Sequence, residues 1–183
     1  MRDVSLFDRF ARAYEAAMPA ADPAVFERGF AFADRDIERV VDVGGGTGRA
    51  ARHYDAVVVD PARGMLREGA RKGIEGIRGD GARLPLKSES VDAVTIVDAL
   101  HHFAEPISAI AEAHRVLKPG GVLLIREFDP TPRRGQLLVA LEHAVGFDSR
   151  FWSPDELMGK LDRAGFTSFC PDRAFTYTVV GVR

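Results

Sequence analysis

Four of the aspartates in the first hundred residues each stand at the end of a short stretch that reads as a strand. Asp42 follows Val40-Val41, Asp60 follows Val57-Val58-Val59, Asp80 follows Ile77-Arg78-Gly79, and Asp98 follows Thr95-Ile96-Val97. A carboxylate accepts several hydrogen bonds and pairs with cations, so acids in series suit a ligand that offers an ammonium, hydroxyls and an amino group. Directly behind the first acid stands Val43-Gly44-Gly45-Gly46-Thr47-Gly48, with four glycines in five positions. Glycine tolerates positive φ and admits a ligand against the backbone. One suffices for a turn, and each further one costs roughly 0.5–1 kcal/mol of ordering. The repetition therefore points to a ligand. Such a turn also aims the free N–H groups of a following helix at whatever lies above it. His101 and His102 follow the fourth acid, and imidazole titrates near neutrality, as a general base should. The plainer alternative for this pair is packing or loop orientation.

These residues need elements to hold them in one place. Near-continuous apolar runs predict strands at Arg39–Val43, Ala56–Asp60, Glu75–Gly79, Val91–Val97 and Gly121–Glu127, with helices at Thr47–Tyr54, Ala62–Lys72 and Glu105–Leu117. Strands without alternation are covered on both faces, and alternation of strand with helix implies a parallel sheet with right-handed crossovers. The link from Gly79 to Val91 is too short for a full helix. Ahead of this core, Phe7, Phe10, Ala11 and Tyr14 predict an amphipathic helix over 4–17, and Asp22-Pro23 starts a second that runs to about Ala33. Together, residues 1–36 form a helical arm, either packed as core or covering part of the site. After the fifth strand, Asp129-Pro130-Thr131-Pro132 is rigid and non-helical, and Gln136–Val145 is helical. Ser153-Pro154-Asp155-Glu156 starts a last helix ending at Gly165. Thr167–Cys170 and Phe175–Val182 then close the sheet as antiparallel edge strands. The expectation is a doubly wound α/β fold with a mostly parallel seven-stranded sheet and a C-terminal antiparallel hairpin. It forms a single domain over 1–183, with 128–153 inserted as a lid.

Composition narrows the function. The 183 residues carry a formal net charge of −2, and the only tight basic cluster is Arg133-Arg134, which disfavours nucleic acid as the main partner. Cys170 is the single cysteine, so no intrachain disulfide or cysteine-rich metal centre is possible, and no resident metal is expected. No run approaches the ~20 apolar residues of a membrane span, and Arg2, Asp3, Asp8 and Arg9 interrupt any leader-like core, so a cytoplasmic protein is expected, monomeric or homodimeric.

In five ordered stretches the chain resembles the Rossmann-type (class I) S-adenosylmethionine-dependent methyltransferases, in particular the small-molecule branch with the ubiquinone and menaquinone C-methyltransferases. These are Val41 to Gly48, Val59-Asp60-Pro61 with Met65-Leu66, Gly79 to Pro85, Ser90 to Val94 leading to Ala99-Leu100-His101-His102, and Arg115 to Gly121. The tail from Pro154 to Phe166 is similar too. The resemblance implies an S-adenosylmethionine cofactor and a small-molecule acceptor methylated by in-line displacement. By position, Gly44, Gly45, Gly46 and Gly48 would lie under the methionyl end and Asp42 would face its amino group. Asp60, with Pro61, would take the ribose hydroxyls, and Asp80, Gly81 and Ala82 the adenine. Asp98 and Ala99 would border the methionyl group near the transferred methyl. The connection from Gly48 to Val57 is shorter than that pattern.

Two other readings are open. Gly46-Thr47-Gly48-Arg49-Ala50-Ala51 satisfies the G-x-G-x-x-A pattern of a nicotinamide-binding oxidoreductase, but Asp42 would oppose a pyrophosphate where it suits an ammonium. A non-catalytic binder of the same cofactor would carry the same motifs. On the acceptor side, His101 or His102 is the candidate base, and Tyr14, Phe128, His143 and Trp152 are candidate pocket residues. Arg133, Arg134 and Arg150 could hold an acidic group on the acceptor, though solvated surface arginines are the plainer reading.

Overall fold

The computed structural model describes residues 4, 5, 7–9, 11 and 22–183. Those between 4 and 11 are helical, in line with the expected start of the arm, whereas the rest of that helix, including Tyr14, lies outside the described residues. The elements that follow are α1 (Pro23–Phe30), β1 (Val40–Val43), β2 (Val57–Asp60), α2 (Arg63–Ala70), β3 (Gly76–Arg78), β4 (Val91–Val97), α3 (Pro106–Val116), β5 (Leu117–Phe128), α4 (Arg133–Val145), α5 (Pro154–Arg163), β6 (Thr167–Asp172) and β7 (Thr176–Val182).

The seven strands form one sheet in the order β3-β2-β1-β4-β5-β7-β6. The first five are parallel, β7 runs antiparallel to β5, and β6 antiparallel to β7. The doubly wound α/β expectation therefore holds, edge hairpin included. The chain leaves β1 toward β2 on one side and later inserts β4 on the other, so a topological switch point lies between β1 and β4, where such sheets open a crevice above the strand ends. Asp42 pairs in register with Val58 on one side and Thr95 on the other, which sets it against that crevice.

The alternation of side chains along β4 and β5 divides the core. Val94, Ile96, Leu123 and Ile125 point to one face, where Ile110 and Ala113 of α3 and Leu157 and Leu161 of α5 cover them. Ala93, Val97, Val122 and Leu124 point to the other, against Phe26 of α1 and the Ala50-Ala51 turn. At Gly29 a β-carbon would come within 2.2 Å of Leu124, so α1 can sit that close to the sheet only with glycine there. Helix starts follow the sequence: Asp22 accepts from the Ala24 amide at 3.0 Å ahead of Pro23, and Ser153 and Glu156 form a capping box at α5.

One predicted element is absent. Thr47–Tyr54 is not an α-helix but a series of turns ending in a single 3-10 turn at Ala51–His53. The chain must return to the adjacent start of β2, where Val57 pairs with Val41, and it turns back through Asp55 at φ 51°. Too few residues remain for an α-helix. The link from β3 to β4 is likewise irregular, and Arg115 of α3 organises it by donating to the Leu84 and Leu86 carbonyls at 3.2 and 2.9 Å. No helix among the described residues is long and apolar enough to cross a membrane.

Candidate functional site

The glycine loop leaves β1 with Gly44, Gly46 and Gly48 at φ 72°, 57° and 78°, in the left-handed region that side chains disfavour. A β-carbon at Gly44 would come within 2.9 Å of the Phe103 ring, and one at Gly48 within 2.6 Å of Ile74. At Gly46 the same atom would meet only the Met65 side chain, at 3.6 Å and beyond, so there is room for it beside the space over the loop.

That space is a cavity of about 90 Å³ over the ends of β1, β2 and β4, walled by Asp42, Gly44, Gly45, Gly46, Asp60, Pro61, Asp98 and Ala99. Its outer wall includes Val4 and Phe7 of the N-terminal segment, together with His102 and Phe103. Beside it a larger cleft of about 980 Å³ runs past Asp80, Gly81 and Ala82 to Phe147 and Arg150. Gly44, Pro61, His102 and Phe103 belong to both walls. The described part of the arm therefore reaches the site. Phe7 lies 5.7 Å from Phe147 in a stacked pair and 5.1 Å edge-on from His102, and Asp8 accepts from the Gly64 amide at the start of α2.

Asp42 is fully buried. Its Oδ1 accepts from the Thr95 hydroxyl at 2.8 Å, and that hydroxyl lies 2.9 Å from the phenol oxygen of Tyr54. Its Oδ2 accepts no hydrogen bond of ordinary geometry, although the Ala51 amide helps to hold the charge. Burial raises its pKa to about 7; the Thr95 bond lowers it and the Asp60 carboxylate nearby raises it further. Asp60 is raised to about 6, again chiefly by burial, against bonds from the Ala62 amide at 2.8 Å and the Gly46 amide at 3.0 Å. Two neighbouring carboxylates are thus costly to ionise within the protein alone. A ligand bearing positive charge and hydroxyl donors would relieve both.

Asp80 is exposed on the cleft, and its Oδ1 accepts from the Ala82 amide at 2.9 Å. Gly81 admits Phe103, whose ring a β-carbon would approach to 2.7 Å. Asp98 borders the cavity at φ 51°, but Arg126 binds both of its oxygens at 3.0 and 3.1 Å, and Arg49 stands 4.0 Å away. Its carboxylate is already paired.

The acceptor-side candidates fall in different places. Phe128, His143 and Trp152 line neither cavity. Phe128 packs on Phe175 and the edge of His101, because β5 continues through it. The His143 ring meets the Ser149 carbonyl at 3.1 Å. Trp152 packs against the α3–α5 core under the Lys160 ammonium, and its carbonyl accepts from Tyr177. His101 lines neither cavity; it is 4% exposed, stacks on Phe151 and has its Nδ1 2.6 Å from Glu127. Burial works against its charged form, yet Glu127, Glu142 and Asp98 together raise its pKa. His102 does line both cavities, but burial and then the His101 charge hold its pKa down to about 3, which makes it a weak base. Of the three arginines, Arg134 lies over the Phe175 ring, Arg133 is exposed, and Arg150 alone reaches the cleft. The sequence reading missed Phe103 and Phe147, and it had Phe7 only as part of an arm that could cover the site. Phe103 directly follows the His pair, which was the available signal; Phe147 carried none.

Residues 41–125 match the family model described as a methyltransferase domain. This stretch, a little under half of the chain, is similar to methyltransferase domains. Its relatives include a demethylmenaquinone methyltransferase from Renibacterium salmoninarum, 44% identical over 98 residues, which covers 50% of this chain and 41% of that protein. A ubiquinone/menaquinone biosynthesis C-methyltransferase from a Ruegeria species is 35% identical over 56% of this chain and 47% of its own length. The chain thus spans under half the length of these curated relatives. Among solved structures, an S-adenosylmethionine-dependent methyltransferase from Thermotoga maritima, described as a possible histamine N-methyltransferase, superposes with a TM-score of 0.80 over 100% of this chain and 99% of its own at 24% identity. That likeness shows the fold.

The similarity to methyltransferase domains makes S-adenosylmethionine the group to test against this site. Its residues fit that group on two counts: Asp42 offers a buried oxygen without a hydrogen bond, and Gly46 leaves room that a side chain would fill. They fit a dinucleotide less well. Two raised, buried carboxylates face the loop, and the 3-10 turn behind it provides no α-helix N-terminus for a pyrophosphate.

Proposed function

We propose that this chain binds S-adenosylmethionine over the ends of β1 to β4 and transfers its methyl group to a small-molecule acceptor. One observation carries the reading: Asp42 and Asp60, adjacent and buried, flank an open glycine loop at the switch point of the sheet, with pKa values raised to about 7 and 6. In this reading Asp42 faces the ligand's ammonium, and Asp60, held by two backbone amides, accepts from its ribose hydroxyls. Asp80, with Gly81 and Ala82, faces the adenine, while Asp98 and Ala99 border the methionyl end. The cofactor supplies a methyl group on a sulfonium. The protein's part is to hold an acceptor in line with it, and such placement can supply roughly 7–11 kcal/mol of the barrier. A general base adds about 3–5 kcal/mol, so the low basicity of His102 is compatible with catalysis.

The relatives' names describe quinone-pathway substrates. A planar, apolar acceptor of that type suits a cleft bordered by His102, Phe103 and Phe147, with Phe7 of the neighbouring cavity stacked behind Phe147. We take residues 1–183 as one cytoplasmic methyltransferase unit, monomeric or homodimeric, with the N-terminal arm, of which Val4 and Phe7 reach the cavity, and the 128–153 segment closing over the acceptor.

Thermal denaturation with S-adenosylhomocysteine or NAD tests the cofactor. At a hundred times its dissociation constant, a ligand adds about 2.7 kcal/mol of stability. S-adenosylhomocysteine should raise the melting temperature and NAD should leave it unchanged; stabilisation by NAD alone would overturn the reading.

A further inference from the structure

Behind the wall that His102 gives to the cleft, side chains from three separate segments converge. His101 and His102 leave the turn after β4, Glu127 ends β5, and Glu142 comes from α4. Among the described residues, one group of metal-ligating side chains places all its donor atoms within 4.8 Å of one another: His101, His102 and Glu142. We propose that these three residues form a binding site for one divalent transition-metal ion, with zinc the best-matched cation.

Geometry supports this first. His101 Nε2 lies 3.8 Å from Glu142 Oε1. Ligand atoms of a tetrahedral zinc with bonds of about 2.0–2.1 Å stand about 3.4 Å apart. Side-chain rotation must bring the His101–Glu142 pair closer by about 0.4 Å, and the widest pair, at up to 4.8 Å, by about 1.4 Å. The supporting contacts are also of the kind metal ligands need. Glu127 Oε2 sits 2.6 Å from His101 Nδ1, and Glu127 Oε1 accepts from the His101 backbone amide at 3.3 Å. With Nδ1 held by Glu127, a metal would displace the proton of Nε2 and take that nitrogen on the Glu142 side. The Ser149 hydroxyl donates to Glu142 Oε2, and Oε1 remains on the His101 side. Ser149 is buried, and its carbonyl meets His143, so this support is fixed in turn.

Donor chemistry selects the ion. Two imidazoles and one carboxylate suit zinc and its neighbours, while magnesium and calcium prefer oxygen throughout. The site is sheltered, with side-chain exposures of 3% at His101, 6% at Glu127 and 17% at Glu142. Two carboxylates face each other there across one imidazole, and a divalent ion neutralises both. Three protein ligands leave a fourth position, the pattern of a reactive zinc and not of a structural one. Because His102 also walls the cleft, that position is within reach of water or of an acceptor's oxygen or sulfur atom.

The test uses the full chain, stripped with a chelator and titrated with zinc chloride in a calorimeter, with cobalt(II) absorption as a second readout. One equivalent should bind, and bound cobalt should show the intense visible bands of a tetrahedral site. His101→Ala and Glu142→Gln should each weaken zinc at least tenfold, and Glu127→Gln by about 10–100-fold. Glu142→Gln and Glu127→Gln preserve shape, so their melting curves separate lost binding from lost folding. The absence of saturable binding, or unchanged affinity in folded Glu142→Gln, would overturn the site and leave a proton shared between His101 and its carboxylates. S-adenosylhomocysteine titrated into the same samples reports on the cofactor reading separately, since the two can fail independently.

Discussion

Asp42 has one oxygen tied to Thr95 and the other beside Gly45, where a β-carbon would come within 2.3 Å of it. An ammonium pairs only with the ionised carboxylate, and burial leaves that form half-populated near pH 7 in the free protein. A ligand cation lowers the pKa, so protonation competes with binding below 7 and ceases to matter above it. Affinity for S-adenosylhomocysteine should therefore rise about tenfold from pH 6 to pH 8. Asp42→Asn should bind more weakly at pH 8 and keep by calorimetry only the shallow, about twofold dependence that Asp60 contributes. A wild-type profile flat over the same range would exclude Asp42 from that role. The acid itself stands out in the sequence, since it ends an apolar run before four glycines. Its partners do not. Thr95 sits within a strand of apolar residues and Tyr54 in a turn, and only the pairing of β1 with β4 brings both to Asp42. Glu127 and Glu142 were hidden in the same way, one reading as a strand residue and the other as a helix-surface residue.

At the scale of elements, the glycine loop does two jobs that its spelling does not separate. Gly48 serves packing, because its φ of 78° and the Ile74 side chain both exclude a larger residue. Gly46 serves the cavity, with φ 57° but room for a β-carbon. Left-handed backbone alone costs roughly 1–2 kcal/mol for an L-residue. Gly46→Ala should lose about that much stability in urea denaturation, and Gly48→Ala should lose more, about 2–4 kcal/mol once the clash is added. Equal losses would contradict this division. The strands β1, β2 and β4 are legible as apolar runs because both faces of the sheet are covered. The missing helix after the loop was not, since its composition favours a helix and only the span back to β2 forbids one. The edge hairpin was recognisable from its β-branched residues, and α5 from its capping box.

For the whole molecule, strand order does what composition cannot. It places β1 beside β4, and so gathers acids that lie 38 residues apart by number, Asp60 and Asp98, around one cavity. The aromatic groups around the two cavities come from parts with no shared pattern: Phe7 from the N-terminal segment, Phe103 after β4 and Phe147 after α4. That is why the cofactor side was readable residue by residue and the acceptor side was not. The central claim rests on Asp60, the acid that ties the glycine loop to the start of α2. Calorimetric titration of S-adenosylhomocysteine into the wild-type protein and into Asp60→Ala measures it directly. The loss of charge-assisted hydroxyl bonds should weaken binding by about 1.5–3 kcal/mol, roughly ten- to a hundredfold. Equal affinity in a folded Asp60→Ala protein would contradict the account.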